Sequence, residues 1–240
     1  MRNIYSLFIS VFVLISACDG PFSRTVEGNG NITTESRNIS NAHKIECRGH
    51  FDVELTQGSS ALMKITGDDN LLPLIITENN NGKLIIKTRD NVNLRSDEKI
   101  KIEITTDRLD GFSLAGSGDI RGTNKFTGSN DMEFEMAGAG SMHFDINTPD
   151  VKSSIAGTGD IYLSGETESA EINIAGAGNY HAENLKSENS SIEIAGTGDA
   201  TLFADKTLDI NIAGVGNVYY SGNPTVNQKI AGSGKIKKMD

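Results

Sequence analysis

The sequence predicts an all-β fold, a parallel β-helix or solenoid, and three observations predict it. The first is a six-residue phrase that recurs seven times. It reads Leu114-Ala-Gly-Ser-Gly-Asp119, Met136-Ala-Gly-Ala-Gly-Ser141, Ile155-Ala-Gly-Thr-Gly-Asp160, Ile174-Ala-Gly-Ala-Gly-Asn179, Ile194-Ala-Gly-Thr-Gly-Asp199, Ile212-Ala-Gly-Val-Gly-Asn217 and Ile230-Ala-Gly-Ser-Gly-Lys235. Its alanines, at 115, 137, 156, 175, 195, 213 and 231, are 22, 19, 19, 20, 18 and 18 residues apart. A period near twenty is that of a chain wound so that each turn buries its apolar face on the next. The second is parity. Ile192, Ile194, Gly196, Gly198, Ala200 and Leu202 alternate with Glu193, Ala195, Thr197, Asp199 and Thr201. Period two means strand, and no 3.6-residue stripe appears in this half, which argues against leucine-rich and helical repeats. The third is composition. Hydrophobic residues make up 37% of the chain and aromatic ones 6%, with 26 glycines and no Trp. That suits a thin core of stacked Ile, Val and Leu with many corners. Seven coils at a strand spacing of ~4.8 Å make a rod about 34 Å long.

Taken in order, residues 1–17 read as a targeting segment rather than structure. Arg2 supplies its positive start, and Leu7 to Ile15 form an apolar core too short to span a bilayer. Ile15-Ser16-Ala17-Cys18 resembles the lipobox of bacterial lipoproteins. That resemblance implies cleavage before Cys18, with diacylglycerol on its sulfur and an acyl group on its amine. Two or more acyl chains hold a protein durably to a membrane. With Cys18 lipidated, Cys47 is left alone and no internal disulfide forms. Cys47 alternates with Ile45 and Gly49, as a small buried hydrophobe does. Residues 18–41 read as a flexible polar tether, on Gly28-Asn29-Gly30-Asn31 and the Thr, Ser and Asn that follow. Asp19, a single acid after the lipid site, fits either retention at the inner membrane or export to the surface.

Residues 42–110 read as a β-rich half without visible periodicity that covers one open end of the rod; an open end exposes unpaired backbone and invites aggregation. Phe51, Val53 and Leu55 alternate with Asp52 and Glu54, and Ile100, Ile102 and Ile104 with Lys101 and Glu103. Asn79-Asn80-Asn81-Gly82 between two apolar runs predicts a tight turn. Asp68-Asp69-Asn70 before Leu71-Leu72-Pro73 predicts one capped helical turn. Residues 111–240 are the repeat half, ending in Lys235, Lys237 and Lys238, which can act as charged gatekeepers.

Three segments in this order, Arg48-Gly-His-Phe-Asp-Val-Glu-Leu-Thr-Gln-Gly58, Gly67-Asp-Asp-Asn-Leu-Leu72 and the Ala-Gly-x-Gly-Asp series, resemble the putative auto-transporter adhesin family with a head GIN domain. The resemblance covers about residues 42–235. It implies a right-handed β-helix and a cell-envelope protein of the Bacteroidota type, and it brings no catalytic or ligand residues.

No catalytic set is visible. His43, His50, His143 and His181 have no partner at metal-ligand spacing, and no Cys-x-x-Cys occurs. The Ser of Gly116-Ser-Gly118 occupies a place that other copies fill with Ala, Thr or Val, which a nucleophile would not allow. The glycines lack the Lys-Ser/Thr of a phosphate loop. A ladder of Asp119, Ser141, Asp160, Asn179, Asp199, Asn217 and Lys235 reads as turn chemistry, with calcium as the alternative. A second ladder, the outward Ala-x pair, forms a flat small-residue stripe: a tight corner, or a face for self-association. Among outward residues, Glu171, Glu193 and Asp209 line up as candidate carboxylates with no Arg or Lys among them.

The expectation is therefore a lipid-anchored outer-membrane protein, surface-exposed or facing the periplasm, that binds or scaffolds without catalysis, cofactor or metal. The alternatives are a polysaccharide lyase or hydrolase and a self-associating structural protein. Its expected partners are a membrane, reached through Cys18, a surface protein or glycan, and a second copy. A net charge of −10 excludes nucleic acid, and a water-facing row of Glu, Asn and Ser excludes a membrane β-barrel.

Overall fold

Each copy of the phrase lies in register on the copy before it. A computed structural model shows this and describes residues 23–39 and 42–239; the targeting segment and Cys18 lie outside the described residues. The strands Gly111–Thr127, Met132–Gly157, Asp160–Gly176 and Tyr180–Gly196 pair in parallel, and Thr207–Gly214 and Thr225–Gly232 continue the stack. Coiling gives a β-solenoid of about six turns. Ile155 sits against Ile174, Ile174 against Ile194, and Ile194 against Ile212. A second inward column runs Ile120, Met142, Ile161, Tyr180, Ala200 and Val218. All these residues are buried, so the parity read from the sequence holds across both glycines.

The core is not uniformly aliphatic. Toward the N-terminal coils Phe144 meets Phe134 at 4.7 Å, Phe126 at 5.6 Å and Phe112 at 6.4 Å between ring centroids. Few aromatics suffice because they are concentrated in one place.

Two expectations for the N-terminal region are corrected. Residues 42–110 do not merely cover the rod; they contribute coils of it. Lys44–His50 pairs in parallel with 111–117, placing Cys47 against Leu114 and Gly49 against Gly116. Cys47-Arg-Gly-His-Phe-Asp52 is thus a degenerate further copy of the phrase. Lys83–Thr88 lies in parallel on Lys44–His50, and only beyond it does the antiparallel strand Ile75–Asn80 close that edge. The turn between these two strands is the predicted one, with Asn81 at φ 52° and Gly82 at φ 82°. The second correction concerns the tether. Arg24–Glu27 pairs with Val92–Arg95, and Ile32–Asn38 with Leu62–Asp68. Much of 18–41 is therefore edge strand, and its polar composition reflects exposure rather than freedom.

The helical turn expected after Asp68 is a short 3-10 turn, Leu72–Leu74, with no side-chain cap. The buried Asp68 carboxylate instead accepts from the Ser96 hydroxyl at 2.5 Å and the Gly30 N–H at 2.6 Å. Arg37 completes the joint by donating to the Ile75 and Leu72 carbonyls at 2.7 and 3.1 Å.

One core position is suboptimal. The Tyr180 ring is fully buried, and neither its hydroxyl nor that of nearby Ser153 makes a hydrogen bond of good geometry. Burial pushes the phenol up to about 12. An unsatisfied buried hydroxyl costs about 1–3 kcal/mol. Tyr180→Phe should therefore leave stability unchanged or raise it by about 1 kcal/mol in urea unfolding; a loss of 1 kcal/mol or more would mean the hydroxyl is satisfied.

Candidate functional site

The second glycine of each phrase is followed by the Asp/Asn position, and those side chains form a spine. Asp119 N–H donates to the Asp52 carboxylate at 3.0 Å, Asn179 N–H to Asp160 at 2.9 Å, and Asp199 N–H to Asn179 at 3.0 Å. Asn217 N–H then donates to Asp199 at 2.7 Å, and Lys235 N–H to Asn217 at 3.2 Å. Asp52, Asp160, Asn179, Asp199 and Asn217 thus each satisfy a corner amide of the next coil, the turn role expected of this ladder, while Asp119 accepts from the Ser141 hydroxyl instead. Among the described residues no group of three or more His, Cys, Asp or Glu is placed to hold a metal ion. The Ala stripe is in register too, Ala175 against Ala195 and Ala195 against Ala213, and it is largely exposed.

Two residues beyond the spine lies a column that sequence reading missed. Arg121 pairs with His143, His143 with Tyr162, Tyr162 with His181, His181 with Thr201, and Thr201 with Tyr219. The His143 and Tyr162 rings stack with centroids 4.3 Å apart and planes 3° apart; Tyr162 and His181 stack at 4.4 Å and 10°. Counting two residues from each Asp/Asn position would have found it, because His143 and His181 fall at the same place in the repeat.

This stack forms one side of a groove of about 310 Å³. Asp145, Ser164, Glu183 and Asn184 also line it, with Arg121. Two register shifts flank it, between Arg121 and Lys125 and between Tyr162 and Ser164. Such bulges bend a strand and re-aim its side chains. Three groups are already engaged: Asp145 pairs with Lys125 at 3.4 Å, Glu183 accepts from the Thr201 hydroxyl at 2.7 Å, and His143 Nε2 lies 3.2 Å from the Ser141 hydroxyl. Arg121 makes no ion pair among the described residues. Beyond it a charged patch holds Lys99, which bridges Asp52 and Asp119 at 3.0 and 3.5 Å, and Lys101, 3.0 Å from Glu54.

The remaining candidates are placed as follows. Glu171 and Asp209 share one column with Ser191 between them, while Glu193 lies in the next, between Asn173 and Asn211. A lysine does stand among them, correcting the expectation: Lys152 pairs with Glu171 at 3.6 Å. His50 Nδ1 lies 2.5 Å from the Ser117 hydroxyl, and His43 beside Asp107 and Arg108. Cys47 is fully buried, and burial raises its thiol far above the ordinary range, so it packs as predicted. Cys18 lies outside the described residues.

The titration of this face has a definite sign. The Ser141 hydroxyl, 2.8 Å away, holds the Asp119 carboxyl below its usual range, with help from Lys99 and against the opposing effect of burial. His143 is lowered by burial first and then by the charge of Arg121. Both shifts are downward, so both groups contribute stability present above their unfolded values and lost as pH falls through the folded ones. The loss begins near 6.5 for His143 and near 3.8 for Asp119. Calorimetry from pH 7.5 to 3 should show the melting temperature falling in two stages, and His143→Gln should remove the upper one.

The model of the family described as "Putative auto-transporter adhesin, head GIN domain" matches residues 41–224. No curated protein sequence matches the chain. Among solved structures, a putative adhesin of Bacteroides fragilis NCTC 9343 is 27% identical with a TM-score of 0.85, over 89% of this chain and 100% of that one. A putative lipid binding protein of Parabacteroides distasonis ATCC 8503 is also 27% identical, with a TM-score of 0.75 over 90% and 100%. A putative adhesin of Parabacteroides merdae ATCC 43184, at 22% identity and a TM-score of 0.70 over 90% and 99%, shares the fold.

Proposed function

The chain belongs to the putative auto-transporter adhesin, head GIN domain family, and from that premise we propose that it is an adhesin-like binding module of the cell envelope. Lipid on Cys18 would hold it to the outer membrane, and it would bind without catalysing a reaction. The observation that carries this reading is the His143–Tyr162–His181 groove. Four successive coils contribute to it, through Arg121, His143, Tyr162 and His181, and two register shifts flank it. Polar groups converging on an aromatic row are how proteins orient a ligand. The names of the Bacteroides fragilis and Parabacteroides merdae structures point the same way. No helix among the described residues is long and apolar enough to cross a membrane, and a lipid anchor needs none.

The polysaccharide-acting alternative has one arrangement in its favour, the Lys152–Glu171 pair beside Ser191 and Asp209. One experiment separates the two readings. The chain from residue 19 onward is applied to glycan and matrix-protein arrays, and the same glycans are assayed for released reducing ends or unsaturated products. Retention without turnover is expected; turnover would replace binding with catalysis. Labelling with a palmitate analogue in cells should mark the native chain and not Cys18→Ser.

A further inference from the structure

We propose that the groove beside the His143–Tyr162–His181 stack holds a neutral, hydroxyl-rich oligosaccharide running along the rod; the inference rests on the binding reading above and names its ligand. The stack itself narrows the chemistry. The rings are nearly parallel and about one strand spacing apart, so both faces of Tyr162 are covered by imidazoles. What the column offers to the groove is ring edges. The Tyr162 hydroxyl and the His181 nitrogens make no hydrogen bond among the described residues, so donors and acceptors recur at about the strand repeat of ~4.8 Å. A ligand that uses them needs polar groups repeating along its length.

The other lining residues match that requirement. Asn184 is a planar group that can engage two neighbouring hydroxyls, Asp145 and Glu183 each keep a carboxylate oxygen beyond their contacts with Lys125 and Thr201, and Ser164 adds a hydroxyl of its own. Arg121 contributes further donors at one end. Other ligand classes fit less well. The protein carries a net charge of −10, and Asp145 and Glu183 line the groove itself, so a polyanion would be repelled. Among the described residues the exposed large hydrophobics, Ile32, Leu62, Val215 and Ile230, lie away from the groove, which leaves an apolar ligand little to bury. A polycation would be drawn by Asp145 and Glu183, but Lys125 already pairs with Asp145 at 3.4 Å, the Thr201 hydroxyl already donates to Glu183 at 2.7 Å, and Arg121 sets a cation of its own at the groove. A neutral polyol incurs none of these penalties.

The bulges supply the independent reason to place the ligand here. Most strand pairs of the repeat half keep one-to-one register; two departures open beside this column, and a third change of offset, between Ala182–Leu202 and Asn189–Thr207, follows in the next coil.

The test uses the chain from residue 19 onward in titration calorimetry with neutral gluco-, manno-, galacto- and xylo-configured hexaoses, a hexagalacturonate and a set of matrix-derived peptides. At least one neutral hexaose should bind. Tyr162→Phe preserves the stack and removes the hydroxyl; it and Asn184→Ala should each weaken binding at least tenfold with melting temperature unchanged. Ala175→Glu, on the small-residue stripe, should leave affinity within twofold. Failure of every neutral hexaose overturns the inference, as does binding that Tyr162→Phe and Asn184→Ala leave unaltered. If peptides bind and both groove variants abolish it, the adhesin-like reading stands with a protein ligand and the glycan inference falls. If nothing is retained on any array, both fall together.

Discussion

Gly196→Ala should abolish or nearly abolish folding. A Cβ on Gly196 would stand 2.0 Å from the carbonyl oxygen of Gly176 in the coil below, and the residue is held at φ 157°. The obstacle is backbone of a neighbouring coil, which cannot turn aside as a side chain can. Overpacking costs about 1–3 kcal/mol and a backbone conformation meant for glycine another ~1–3 kcal/mol. Together they approach the ~5–15 kcal/mol that separates folded from unfolded domains. The column repeats the contact, with Gly214 against Gly196 and Gly232 against Gly214, so a shift that relieved one clash would tighten the next. Gly128→Ala is the control, because its Cβ would meet nothing nearer than 3.7 Å, and it should change stability by less than about 0.5 kcal/mol. Urea unfolding of the two variants checks the difference. A Gly196→Ala protein within 1 kcal/mol of the parent would mean that the coils are not spaced by glycine contact.

That column also explains what could be read from the sequence alone. Where a coil must admit its neighbour's carbonyl, only glycine serves, and the Ala-Gly-x-Gly phrase was plain to see. Where the constraint relaxes, the pattern fades. In Cys47-Arg-Gly-His-Phe-Asp52, Gly49 still faces Gly116, but Phe51 stands where the other copies have their second glycine. That coil lies in register with the rest without resembling them. Edge strands hid for a different reason. Ile32–Asn38 has sheet on one side and water on most of its surface, so its residues are as polar as a linker's. The groove was obscured by chemistry. Register requires only that Arg121, His143, Tyr162, His181 and Thr201 stack, not that they be alike, so only the two histidines, at the same place in the repeat, mark the column in the sequence.

Phe144→Ala should be the most damaging of the ordinary core truncations, at about 3–5 kcal/mol. Its ring touches three others, from Phe112, Phe126 and Phe134, so its removal opens a cavity that no single neighbour can fill. Location matters as much as size. In a solenoid, stability is close to a sum of coil and nearest-neighbour terms, and these are unequal here. The coil at Thr225–Gly232 is exposed along nearly its whole length, with Ile230 at 40% relative accessibility; Ile230→Ala should cost well under 1 kcal/mol. Phe144 lies in the strand that joins the phenylalanine-rich coils to the isoleucine-stacked ones. Its loss should uncouple the two, and amide exchange should report that directly. In the parent, protection should be lowest at 225–239 and high on both sides of Phe144. In Phe144→Ala, the amides of 112–146 should lose protection first, while those of 172–196 keep theirs longer. Equal loss along the whole rod would show instead that it unfolds as one unit and that no coil is a weak joint.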